Sequence, residues 1–232
     1  MASNNTNTDL PRLLLVHGAW HRSGCWDQLR SVLDTAGWST HVVDLPSAGD
    51  ETAGIHEDAQ AVQRALEAIE GPVVVIAHSY GGVPVSQAVT EATGVTHVVY
   101  LAAYQLDIGE SVLAYHGRSV PDEPRGFQPL FGEPTATLYG DLPRVAAEVA
   151  AEKLVPQSVK SFCEPLTRAG WHTIPSTYVI CEEDRALLPQ FQEDMSRRAG
   201  AVLRLPSQHS PFLSMPEECA DLLIRIARRA TT

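Results

Sequence analysis

No apolar run in this chain comes near the roughly 20 residues that cross a bilayer. Basic residues are also few. Lys and Arg number 17 against 28 Asp and Glu, a formal charge of −11. Nucleic acids and anionic membrane surfaces select basic patches, so neither is an expected partner. Cysteine is scarce and scattered: Cys25, Cys163, Cys181 and Cys219 contain no C-x-x-C pair. A chain of 232 residues buries a full core without staples. The four are therefore read as free, mostly buried thiols of a reducing compartment rather than as two disulfides. H-E-x-x-H, paired acidic clusters, G-x-G-x-x-G and a Walker loop are all missing, so no metal and no cofactor is expected. Residues 1–10, M-A-S-N-N-T-N-T-D-L, lack the basic and apolar regions of a signal peptide and read as a disordered tail. A cytoplasmic location follows by elimination.

What is present is an alternation. Short runs rich in Val, Ile and Leu occur at residues 13–16, 40–43, 73–77, 95–101, 177–181 and 202–205. Most do not alternate apolar with polar, as expected of strands covered on both faces. Amphipathic stretches lie between them. Trp26, Leu29 and Leu33 mark one face, ended by Gly37; Ala59, Val62, Leu66 and Ile69 mark another, ended by Gly71-Pro72. A third begins after Ser79, a fourth covers about 190–198, and the last runs from Met215 to about Arg229. Ser214 and Glu217 are spaced as a capping box for that last helix, and arginines stand near its end, where the helix dipole favours them. The pattern predicts an α/β fold, a doubly wound and mostly parallel sheet of about six strands, with ligands at the carboxyl ends of the strands.

Residues 105–172 break the rhythm. The stretch is too long for a simple crossover, is rich in proline, and carries Tyr115, Phe127, Phe131, Tyr139, Phe162 and Trp171. We read it as a helical cap inserted into a core made of residues 11–104 and 173–232. The alternative is an extended crossover with no lid role.

Four segments carry chemistry. In V-V-V-I-A-H-S-Y-G-G, an apolar strand runs into Ser79 and then into a helix. Packing strand and helix together needs a tight, strained turn at Ser79, with small neighbours at Ala77, Gly81 and Gly82. The serine then stands at a helix N-terminus, where free N–H groups favour the negative charge of an acyl-transfer intermediate. The plainer reading is a structural Ser-Gly-Gly turn. In L-L-L-V-H-G-A-W, a strand ends at His17-Gly18. An oxyanion hole needs two donors, and these are assigned to the backbone N–H groups of Ala19 and Tyr80. In T-Y-V-I-C-E-E-D-R, three carboxylates follow a strand. Asp184 is the preferred acid because it is clearest of the strand, with Glu182, Glu183 and, after the fourth strand, Asp107 as rivals. In L-P-S-Q-H-S-P-F, His209 lies between the last strand and the last helix and is the candidate base. His78 is a pocket or packing group, because adjacent residues on a tight turn point apart. Trp20, His78, Tyr104, Phe127, Phe131 and Trp171 are the expected substrate pocket.

These segments resemble small α/β hydrolases, through H-G-A-W at 17–20, A-H-S-Y-G-G at 77–82, E-E-D-R-A-L-L-P at 182–189 and Q-H-S-P-F-L-S at 208–214. The order Ser, Asp, His is the one expected of that fold. The resemblance is to the branch holding plant methyl esterases and hydroxynitrile lyases, and it covers the chain from Pro11 onward. It implies a Ser79–Asp184–His209 triad, Ala19 and Tyr80 as oxyanion donors, a cap over an apolar pocket, and no cofactor. Hydroxynitrile lyases of the branch carry Thr where this chain has Gly18 and Lys where it has Ser210, so the departures favour an esterase. The expected partner is a small-to-medium hydrophobic ester or lactone and, at most, a second copy of the chain. Transacylation, cyclisation, C–C cleavage and lyase chemistry on the same triad remain alternatives. So do a non-catalytic ligand-binding protein, since some hormone receptors share the architecture, and a scaffold.

Overall fold

A computed structural model describes residues 10–90, 92 and 94–230. Of the expected tail, only Leu10 lies within the described residues. The first half contains β1 (Arg12–Val16), α1 (Asp27–Thr35), β2 (Thr40–Val43), α2 (Ile55–Glu67), β3 (Val73–His78), α3 (Gly82–Ala88) and β4 (Val95–Leu101). An intervening stretch carries α4 (Val112–Tyr115), β5 (Phe127–Gln128), α5 (Pro134–Thr137), α6 (Arg144–Glu152), β6 (Gln157–Ser158) and α7 (Lys160–Cys163). The chain closes with β7 (Ser176–Cys181), α8 (Pro189–Ser196), β8 (Ala201–Leu205), α9 (Pro211–Ser214) and α10 (Pro216–Arg229).

The main sheet runs β2-β1-β3-β4-β7-β8, and every pairing in it is parallel. The order reverses between β1 and β3, the arrangement that opens a crevice at the carboxyl ends of the strands. Side chains alternate between the two faces. Leu13, Leu15, Val74 and Ile76 pack with Leu29, Leu33, Leu223 and Ile226 on one side. Leu14, Val16, Val75 and Ala77 pack with Val62, Leu66, Val83 and Val85 on the other. All six residues of β3 are buried. Each fully buried Val, Leu or Ile contributes about 1.5–3 kcal/mol relative to exposure, which is why the strands read as continuous apolar runs.

α10 behaves as its composition dictates. Glu217 and Glu218 stand in its first turn and Arg228 and Arg229 in its last, while Cys219, Leu222, Leu223 and Ile226 are buried. Its start corrects the sequence reading. Ser214 does not cap it: Ser214 ends α9, its hydroxyl donates to the Ser210 carbonyl at 3.5 Å, and Met215 precedes the helix without a side-chain cap. Pro216 at the first helical position, with its backbone angle already helical, supplies the start instead.

Residues 105–172 fall between β4 and β7. They hold the two-stranded antiparallel pair β5–β6 and a small cluster of Leu138, Tyr139 and Ala147. Phe162, Cys163 and Leu166 return to the main core. All four cysteines are free thiols. Among the described residues, no helix is long and apolar enough to cross a membrane, and no cluster of His, Cys, Asp and Glu could hold a metal ion.

Candidate active site

The turn after β3 is built by exclusion. Ser79 has φ of 52°, in the left-handed region that L-residues avoid at a cost of roughly 1–2 kcal/mol. It is tolerated because the surroundings leave no other path. A Cβ on Gly81 would stand 2.5 Å from the His17 carbonyl oxygen, and one on Gly82 would stand 2.4 Å from that of Tyr104. The Tyr104 N–H donates to the Ser79 carbonyl at 3.0 Å and pins the bend from the segment after β4. The loop after β1 lies against the same turn, since a Cβ on Gly18 would meet the Ser79 Cβ at 2.8 Å. Ala19 and Tyr80 are thereby brought to one place from two strands. Trp20 also takes a positive φ of 62°.

Asp184 and His209 arrive from the last two strands. Asp184 Oδ2 is 2.7 Å from His209 Nδ1, and both residues are buried. The carboxylate is fully supplied with donors: Ala186 N at 2.8 Å and Leu187 N at 3.0 Å on Oδ1, and Gln192 Nε2 at 2.9 Å on Oδ2. These N–H groups satisfy the buried carboxylate's acceptors in place of water. The bond from Nδ1 leaves Nε2 as the ring nitrogen free to exchange a proton. The rival acids are elsewhere. Glu182 and Glu183 are exposed, and Asp107 pairs with His172 at 2.9 Å.

Ser79 and His209 line one cavity of about 70 Å³, without a hydrogen bond between their side chains. Of the expected pocket residues, Trp20, Tyr104 and Phe131 line it; His78, Phe127 and Trp171 do not. His78 is fully buried behind the site. Its Nε2 lies 2.9 Å from the His209 carbonyl oxygen, and its ring packs against Trp26 and Phe212. The turn that presents Ser79 sends its neighbour to the opposite face. Phe127 is half exposed on β5. Trp171 donates its Nε1 to the Leu106 carbonyl at 2.8 Å and meets His172 edge-on, outside the lining of the Ser79 cavity.

The remaining walls are Leu130, Thr137, Leu138, Phe162, Arg185, Ala186 and Leu187. Adjacency to Asp184 could have pointed to the last three. Nothing local marks Leu130, Thr137 or Leu138, which a proline-rich stretch folds over the sheet. A larger cavity of about 680 Å³, walled by α6, Cys25, His21 and Tyr139, contains none of Ser79, Asp184 and His209.

The histidines beneath the site are neutral at pH 7. Burial holds His17 down to about 4 and His21 to about 3, and pushes His78 well below the usual range. His17 Nδ1 donates to the Gly18 carbonyl at 2.8 Å while Nε2 accepts from Leu45 N at 3.0 Å. His21 Nδ1 donates to the Ala19 carbonyl at 2.8 Å, and Nε2 accepts from the Tyr139 hydroxyl at 2.7 Å. Both rings thus hold carbonyls of the loop after β1.

Known proteins are similar to this chain along nearly its whole length. A probable hydrolase, R7, of a Phoma species is 31% identical over 94% of this chain and 98% of its own. Methylesterase 7 of Arabidopsis thaliana is 26% identical over 93% of this chain and 96% of its own. The crystal structure of the Arabidopsis methylesterase MES16 superposes with a TM-score of 0.80 at 22% identity, over 95% of this chain and all of that one. Residues 13–222 match the alpha/beta hydrolase family, so the protein belongs to that family.

Proposed function

We propose that the protein is a serine hydrolase that cleaves a carboxylic ester or lactone of a small-to-medium hydrophobic substrate. His209 Nε2 takes the proton of Ser79 as its Oγ attacks the carbonyl carbon. Asp184 holds the imidazole in the Nδ1–H tautomer and stabilises the imidazolium. The N–H groups of Ala19 and Tyr80 receive the oxyanion. His209 then protonates the departing alcohol oxygen, and water, activated by the same ring, hydrolyses the acyl-enzyme.

The observation that carries this reading is the Asp184–His209 bond of 2.7 Å beside a cavity that Ser79 enters from a left-handed turn. The open contact between Ser79 and His209 fits it, because bonds of this kind commonly close only when substrate binds. The similarity to esterases supports the ester as substrate. The walls are mostly apolar, in keeping with a hydrophobic substrate. About 70 Å³ accommodates a short acyl or alcohol group, whereas drug-sized ligands occupy roughly 300–1,000 Å³. A larger substrate enters only with displacement of Leu130, Phe131 and Leu138.

Ser79→Ala tests the reading. Hydrolysis of p-nitrophenyl esters should fall by about 10⁶-fold in kcat, and a fluorophosphonate probe should label the wild type but not the variant. Near wild-type turnover by the variant would overturn it.

A further inference from the structure

The two residues that follow and carry the oxyanion donors, Trp20 and Tyr80, are tied together twice, once through Phe162 of the cavity wall and once through residues outside the cavity lining. One tie is aromatic. Phe162 stacks on Tyr80 with centroids 5.6 Å apart and planes 5° from parallel, and it meets the Trp20 ring at 5.6 Å, tilted by 50°. The other tie is polar. The Tyr80 hydroxyl donates to Asp58 Oδ2 at 2.6 Å. Ser47 donates to the same carboxylate twice, from its backbone N at 2.8 Å and its hydroxyl at 2.5 Å. Gln157 Nε2 donates to the Ser47 hydroxyl at 2.7 Å and to Ser161 at 2.8 Å. Gln157 Oε1 accepts the Trp20 N–H at 3.2 Å, which closes the chain on the loop that bears Ala19.

Ser47, Asp58, Tyr80, Gln157 and Ser161 are all at most 1% exposed. A buried polar chain of this kind is worth its desolvation only when each member is partnered, and it then holds one geometry. It acts where geometry is strained. Trp20 and Ser79 are both left-handed, and the Val155 N–H holds the Trp20 carbonyl at 2.8 Å. The Trp20 peptide is therefore gripped at its N–H and its C=O by residues 155–157.

We propose that Asp58 and Gln157 are positioning residues for the oxyanion hole. They fix the separation and aim of the Ala19 and Tyr80 N–H groups while touching neither substrate nor the reacting atoms. The inserted stretch thereby takes part in catalysis through its buried side as well as through the cavity wall. The inference rests on the serine hydrolase reading. Losing an oxyanion donor outright costs about 10²–10³ in kcat; misaiming one should cost part of that.

The test compares Gln157→Met, Tyr80→Phe and Asp58→Asn with wild type. Tyr80→Phe removes the hydroxyl and keeps the backbone N–H. Asp58→Asn keeps an acceptor for Ser47 N but puts an amide donor where Oδ2 accepted the Tyr80 and Ser47 hydroxyls. Fluorophosphonate titration counts competent sites, so misfolded protein is excluded from kcat. For Gln157→Met and Tyr80→Phe, kcat per titrated site on p-nitrophenyl butyrate should fall about 10- to 100-fold with KM within about threefold. Affinity for a trifluoromethyl ketone, which forms a tetrahedral oxyanion, should fall in proportion. Asp58→Asn should lose kcat and ketone affinity on the same scale, and no loss per titrated site would remove Asp58 from the proposal. Both kcat and ketone affinity unchanged per site in Gln157→Met and Tyr80→Phe would overturn the positioning role alone, even where melting temperature falls. A wild type that does not react with the fluorophosphonate would overturn the hydrolase reading and this inference with it.

Discussion

Replacing Asp184 by Asn is the substitution whose consequence can be worked furthest. Oδ1 accepts two backbone N–H groups, from Ala186 and Leu187, so the oxygen of an asparagine must stay there. The new amide group then occupies the position of Oδ2, where His209 Nδ1 approaches at 2.7 Å and Gln192 Nε2 at 2.9 Å. Two donors now face a donor. Gln192 cannot turn its amide over, because its Oε1 accepts from Cys181 N at 3.0 Å and its Nε2 donates to the Leu187 carbonyl at 2.6 Å. The imidazole can respond, by moving its proton to Nε2 and accepting at Nδ1. That is the tautomer that cannot take a proton from Ser79.

The expected loss in kcat is about 10⁴-fold, the scale on which a wrong-tautomer histidine disables a serine triad. The unrelieved contact at Gln192 should lower stability by about 1–3 kcal/mol. Steady-state hydrolysis of p-nitrophenyl butyrate and urea unfolding read the two effects separately. KM should stay within a few-fold, because the substrate walls are untouched. A variant that retains more than about a tenth of wild-type kcat would refute the assignment of Asp184.

Three further outcomes are expected. Gly82→Ala places a methyl group 2.4 Å from the Tyr104 carbonyl oxygen, which is backbone and cannot yield cheaply, so activity should be lost and unfolding should come about 1–3 kcal/mol sooner. Ser79→Gly should be more stable than Ser79→Ala by about 1 kcal/mol in urea, since glycine relieves the left-handed strain; equal midpoints would argue against strain at this turn. Stability should fall on acidification. The unfolded chain protonates its histidines from about pH 6.5 downward, whereas the folded chain keeps His17 neutral to about 4 and His21 to about 3, so stability is complete above about 6.5 and is lost as pH falls through that window. Asp58 opposes this: burial raises it to about 6, so stability from that group declines as pH rises toward 6. The depressed histidines, His78 among them, outnumber it, and a urea midpoint unchanged between about pH 7.5 and 5 would contradict the balance.

Much of the candidate site was legible because the proposed chemistry demands local sequence. A serine on a bend between strand and helix needs glycine where a Cβ would strike His17 or Tyr104 backbone, and those glycines are visible without coordinates. Asp184 and His209 were readable from their place after β7 and β8. Asp184 was preferred over Glu182 and Glu183 for its position clear of the strand, but its donors Ala186, Leu187 and Gln192 were not legible. The pocket was legible only in part. Aromatic character marked Phe127 and Trp171, but rings of that kind cover core and surface as readily as ligand. Ser214 and Glu217 had cap spacing, and a separate turn starting at Pro211 overrode it.

What the amino-acid order determined by itself was the sheet and the strained turn, since burial on two faces and steric exclusion act over a few residues at a time. What only the folded chain decided was distance across it. Gln157 reaches Trp20 over 137 positions, and the Tyr80 hydroxyl meets Asp58, 22 positions before it. Hydrogen bonds of that reach leave no periodic trace in a sequence, because each partner is a polar residue like many others until packing removes its water.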